Sequence, residues 1–210
     1  MSELYPEFQR IELVDPADPV LNEAATAVLL NEIDSSRLQN VIDSMIEIAS
    51  GLADENRRVA GLAAPQVGVS ERIIIIDHAL PDQPPDFQVY INPEIESPSE
   101  ATNENYEVCF STDRICGIVE RANEVKIKAI DRHGNGLKIE IFNPKLARVI
   151  QHEVDHLNGT RFPDLIRDDE KLLWVEHDDF PEFRHTWAAW PHKCSRERWE
   201  AMKAGTPPRS

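Results

Sequence analysis

The 210-residue sequence predicts an α+β fold, with antiparallel strands around one central helix that carries an HExxH sequence. Three observations predict it. Residues 124–142, "EVKIKAIDRHGNGLKIEIF", alternate apolar and polar residues on both sides of a glycine-rich turn, the signature of a β-hairpin. Residues 143–159 place Asn143 as N-cap, Pro144 at the first helical position and Gly159 just past the end of "KLARVIQHEVDHLN". Nearer the start, Leu38, Val41, Ile42, Met45, Ile46, Ala49 and Leu52 recur at three- and four-residue steps.

Along the chain, residues 35–56 read as that amphipathic helix, capped by Ser35 or Ser36. "AGLAAPQVGVS" at 60–70 is small, glycine-punctuated and broken by Pro65, and reads as a loop. "RIIIID" at 72–77 reads as a buried strand, followed by the proline-rich loop "ALPDQPPD". "FQVYINPEI" reads as a second strand with Pro93 near its end, and the hairpin and the capped helix follow. There is no internal repeat. Beyond residue 160 the composition shifts: Trp174, Trp187, Trp190 and Trp199 all fall here, among charges and three histidines. Tryptophan suits a packed segment, so most of this stretch is expected to pack on the rest, with a frayed "AGTPPRS" end.

Composition narrows the function classes. Hydrophobic residues are 41% and charged residues 29%, ordinary for a globular protein. The net charge of −16 and pI near 4.8 would repel phosphate backbones, which argues against a nucleic-acid partner. The start, "MSELYPEFQRIELVDP", has no signal-peptide pattern, and "IIII" is too short to span a bilayer, so no membrane association is expected. Cys109, Cys116 and Cys194 make no complete disulfide framework, which suits a reducing cytoplasm.

Chemistry concentrates in "QHEVDHLNG" at 151–159. On a helix, residues four apart lie about 40° apart, so His152 and His156 share a face and can grip one ion. Glu153 then sits beside the ion without having to ligate it. A metzincin would carry a third histidine where Phe162 stands, so that class is excluded. Two candidates for a third ligand remain: Glu176, as in thermolysin-like sites, and Cys109 upstream in "YEVCFS".

Three blocks in order carry a resemblance. "GLAAPQVG" at 61–68, "EVCFS" at 107–111 and "QHEVDHLNG" at 151–159 resemble the peptide deformylases, whose blocks read G-φ-G-L-A-A-P-Q, E-G-C-L-S and H-E-x-D-H. The likeness covers about residues 15–165. It implies a catalytic domain over 1–165 and a tryptophan-rich extension over 166–210 packed on it. It implies Cys109, His152 and His156 as ligands of one divalent metal, Fe²⁺ first, with Zn²⁺ or Ni²⁺ possible in purified protein. Glu153 would act as general base and acid, while the Gln66 amide and the Phe110 backbone N–H would stabilise the oxyanion. Ala60 and Gly61 would offer backbone groups to an extended substrate.

The implied activity is removal of the formyl group from formyl-methionine at the N-termini of new proteins, by a cytoplasmic monomer acting on formyl peptides or nascent chains. Deformylation of a small formyl compound and a non-catalytic binding role are the alternatives. Val108 and Phe110 replace the family's glycine and leucine, and Cys116 stands near where a substrate-contacting arginine is usual, with Arg114 close by. Asp155 points elsewhere on the helix, and Arg121 is its expected partner.

Overall fold

The computed structural model describes residues 11–52, 58–80 and 83–206. Helix α1 (Ser36–Gly51) begins where Ser35 Oγ accepts the Leu38 N–H at 3.2 Å, as its serine cap predicts. The end expected at residue 56 falls in 53–57, outside the described residues. The segment read as a loop instead forms a short strand, β1 (Gly61–Ala63), followed by a single 3₁₀ turn over Ala64–Val67. Three residues are too few to show alternation in sequence, and it is pairing with β2 (Ile73–Asp77) that makes them a strand.

Strand β3 (Phe87–Pro98) continues through Pro93, beyond the expected end. Register shifts between Ile91 and Glu94 accommodate the proline, and Asn92 takes a φ of +50° there. Next come β4 (Thr102–Glu107), β5 (Ile115–Ala122) and the predicted hairpin of β6 (Val125–Ile130) and β7 (Gly136–Ile141). Helix α2 (Pro144–Leu157) has the predicted caps: Asn143 Oδ1 accepts two N–H groups and Gly159 takes a φ of +70°. The chain then runs through α3 (Phe162–Leu165), β8 (Leu172–Trp174), α4 (Phe180–Thr186) and α5 (Arg196–Lys203).

Two antiparallel sheets result, ordered β1-β2-β3-β6-β7 and β4-β5-β8, and α2 packs against both. Alternation along the isoleucine run explains the larger sheet's two cores. Ile73 and Ile75 face α1, with Leu38, Ile42 and Met45. Ile74 and Ile76 face α2, with Ile150, Val154 and Leu157. A third cluster joins Ile115, Phe162 and Leu172 to Trp199 of α5, and a fourth packs Phe183 and Trp190 on Cys116 and Leu173. Part of the stretch expected to fray is bonded: Thr206 N–H closes onto the Ala201 carbonyl at 2.8 Å, while residues 207–210 lie outside the described ones.

Candidate active site

Helix α2 carries His152, Glu153 and His156 from the centre of the fold towards the end of β4. Cys109 follows β4 in extended backbone, before a 3₁₀ turn over Phe110–Thr112. Its Sγ lies 3.2 Å from His156 Nε2. One ligand atom from each of Cys109, His152 and His156 falls within 4.8 Å of the others. A thiolate and two imidazoles suit Zn²⁺ or Fe²⁺, and bonds of about 2.0–2.3 Å in a tetrahedron require donors about 3.5 Å apart. Two buried polar atoms here, Glu153 Oε2 and His156 Nδ1, have no hydrogen-bond partner among the described residues. The donor set and the closeness of its atoms fit a metal.

Glu107 holds His152 in place. Its Oε2 accepts the His152 Nδ1–H at 2.9 Å, which leaves Nε2 as the ring's lone-pair donor. Arg121 grips the same carboxylate through two N–H groups at 2.8 and 2.9 Å, and Arg148 adds a third at 2.8 Å. Burial alone would raise Glu107, but the Arg121 and His152 hydrogen bonds hold it far below the usual carboxylate range. Arg121 also meets Asp155 at 2.6 Å, the partnership expected from sequence.

Burial acts on Glu153 without such compensation. It raises the carboxyl to about 7, with Glu107 and Asp155 adding to the rise and His152 opposing it. Burial lowers His156 well below its ordinary value, and the positive His152 and Arg161 add to that. On His152 burial is outweighed by Cys109 and Glu107, which raise it well above. The other thiols are packing groups: burial pushes Cys116 up to about 12.

Gln66 is buried with its amide fixed at both ends. Oε1 accepts the Ala63 N–H at 2.9 Å, so Nε2 donates towards Cys109 Sγ at 3.3 Å and Ser111 Oγ at 3.2 Å. Gly61 lies against Glu153: a Cβ there would sit 2.8 Å from Oε1 and 3.0 Å from Val149 Cγ1. The Ala60 carbonyl is turned into the sheet, where it accepts the Asp77 N–H at 2.9 Å. By strand alternation the backbone groups of Gly61 then face away from β2, on the open edge of the sheet.

The Phe110 side chain packs on the α1 core. Val108 needs no glycine-like backbone, since among the described residues only Asn92 and Asp113 are non-glycines with positive φ. Val108 is 39% exposed, so its bulk stands at the surface beside Cys109. Glu176, the other candidate ligand, pairs with Arg114 at 2.6 Å and is not grouped with the histidines.

Sequence reasoning assigned no role to Glu107, Ser111, Arg148 or Arg161. Glu107 is two residues before Cys109, and Arg148, His152 and His156 are spaced by four; those spacings were the available signals. Arg161, buried, donates to the Ser111 carbonyl at 2.9 Å and ties that turn to Pro16 and Asn22.

Known proteins share this arrangement's sequence and fold. The family model for polypeptide deformylase matches residues 11–172. Peptide deformylase 1A, chloroplastic, of Solanum lycopersicum is 34% identical over 184 residues, which are 81% of this chain and 64% of that protein. The chain thus spans under two-thirds of that relative's length. The peptide deformylase of Pseudomonas aeruginosa is 36% identical over 159 residues, 74% of this chain and 86% of that protein. A class I type b peptide deformylase from Acinetobacter baumannii, solved with Met-Ala-Ser bound, has a TM-score of 0.65 and 34% identity, covering 74% of this chain and 98% of its own. With three-quarters of its length matched by a single family model, and its three sequence blocks meeting in one site, the chain belongs to the peptide deformylase family.

Proposed function

We propose that this protein is a metal-dependent hydrolase that removes the formyl group from formyl-methionine at the N-termini of newly made proteins. The observation that carries this reading is the convergence of Cys109, His152 and His156 beside a buried Glu153 and a pinned Gln66 amide. Cys109, His152 and His156 would hold one divalent ion, Fe²⁺ in the cell, with Zn²⁺ or Ni²⁺ replacing it in purified protein. When bound, that ion polarises the formyl carbonyl and acidifies water.

Glu153 takes a proton from the attacking water and hands it to the departing nitrogen. Its Oε2 is buried and has no hydrogen-bond partner among the described residues, which leaves it available to take and return that proton. Gln66 Nε2 donates to the oxygen where charge develops, and the Ala63 N–H keeps that amide from flipping. The backbone N–H of Phe110 is the second donor. Gly61 pairs with the peptide as an added strand on the open edge of β1, with Ala60 lining its approach. The bound Met-Ala-Ser of the Acinetobacter structure supports a peptide as substrate.

The catalytic unit spans 1–165, and the 166–210 extension packs on it through residues 166–206. The protein works as a monomer in the cytoplasm. Val108 beside the ligand favours one second reading, a small N-formyl compound as substrate. Formate release from formyl-Met-Ala-Ser and from small formamides separates the two. The peptide is expected to be at least about 100-fold better in kcat/KM, the equivalent of two pocket contacts. The reverse order would replace the peptide reading.

A further inference from the structure

A cavity of about 560 Å³ opens where the C-terminal segment meets the turn after Cys109. Asp113, Arg114 and Ile115 line one side, and Trp174, Arg198 and Met202 the other. The last three lie beyond the family match, which ends at residue 172, so the extension supplies half of this site. None of the proposed metal ligands or catalytic residues lines it, and the inference does not depend on that reading.

Two charged groups in it make no side-chain hydrogen bond among the described residues, Arg198 and Asp113. The Arg198 guanidinium lies 3.2 Å from the centre of the Trp174 ring, and among the described residues its N–H groups make no hydrogen bond or ion pair. Arg114, by contrast, is neutralised by Glu176 at 2.6 Å. The Asp113 carboxylate is 3.9 Å from both Arg114 Nε and His177 Nε2, too long for a hydrogen bond. Asp113 also has φ +50° and ψ −115°, a strained backbone for a residue other than glycine. Such strain costs about 1–3 kcal/mol and gathers at ligand sites.

The charges decide the class of ligand. With Arg114 taken by Glu176, Arg198 is the cation left facing the two acids Asp113 and Asp15 around the cavity, on a chain of net charge −16. A simple anion therefore gains little from it, whereas a zwitterion matches both signs. The Arg198 fork fits a carboxylate and Asp113 an ammonium. Trp174, Ile115 and Met202 supply an apolar wall. The volume lies within the roughly 300–1,000 Å³ of small-molecule sites and exceeds the need of one amino acid. We infer that this cavity binds a short peptide with free amino and carboxyl ends and an apolar side chain.

The test follows the Trp174 indole N–H signal of the full chain by NMR, assigned with Trp174→Phe, during titration with Met-Ala, formyl-Met-Ala and Met-Ala amide. Met-Ala is expected to shift that signal to saturation, and blocking either end to weaken binding at least about tenfold, the loss of one charge-assisted contact. Arg198→Met should weaken Met-Ala equally, with the Trp190 and Trp199 signals unchanged as proof of folding. Asp113→Asn should erase the preference for a free amino end, and Cys109→Ala should leave binding intact. No Trp174 shift with Met-Ala, equal binding of all three ligands, or full binding by a folded Arg198→Met protein would overturn the inference.

Discussion

At Gly61 the absence of one methyl group sets the position of Glu153. A Cβ would stand 2.8 Å from Oε1 and 2.9 Å from Cγ, so Gly61→Ala must push the carboxylate aside. The expected result is a fall of about 10–100-fold in kcat, with a stability loss of about 1–3 kcal/mol from overpacking. Steady-state formate release and urea unfolding measure the two. Gln66→Ala removes the pinned donor and is expected to lower kcat about 10²–10³-fold with little change in KM, checked in the same assay. HExxH was legible at this scale because two ligands four apart need only a local helix. The role of Glu107 was not, because its partners Arg121, Arg148 and His152 stand 14 to 45 residues away.

Among the elements, α2 has the most to satisfy, since it faces both sheets and carries buried charge. Glu107 at the end of β4 answers three cationic or donor groups at once. Glu107→Ala would leave two buried guanidinium groups short of a partner, at a cost of about 3–5 kcal/mol. It would also free the His152 ring, so metal affinity is expected to fall about 10–100-fold. Chemical denaturation and competition with a coloured chelator report these separately, and a loss of stability without a loss of metal affinity would deny Glu107 its orienting role. The hairpin and α2 were legible because alternation and caps are local patterns. β1 and the bulge of β3 at Pro93 were not, because their partner strands create them.

For the whole molecule, the question is how the C-terminal segment is held. Trp199 is fully buried, donates its Nε1–H to Asp164 Oδ1 at 2.8 Å, and has the Arg161 guanidinium 4.6 Å from its ring centre. Four clustered tryptophans announced a packed segment, but not which of them are buried; Trp199 is because α5 meets β5 and α3, and Trp190 because it packs with Phe183 on Cys116 and Leu173. Burial would raise Asp164, but hydrogen bonds from Lys203, Trp199 and the Arg161 N–H hold it below its ordinary value. A carboxylate lowered on folding stabilises the fold fully above its unfolded pKa of about 3.9 and loses that contribution as pH falls through the folded value. Asp164→Asn is therefore expected to be less stable than the parent at neutral pH, with the difference shrinking in acid. Thermal melts between about pH 3 and 7 check it.

The most direct measurement is formate release from formyl-Met-Ala-Ser by protein prepared anaerobically with Fe²⁺, beside Glu153→Ala carrying the same metal. The account expects turnover by the parent and a loss of at least about 100-fold in the variant, with one ion per chain in both. Equal turnover by the two proteins, or none by a parent that holds its ion, would contradict it.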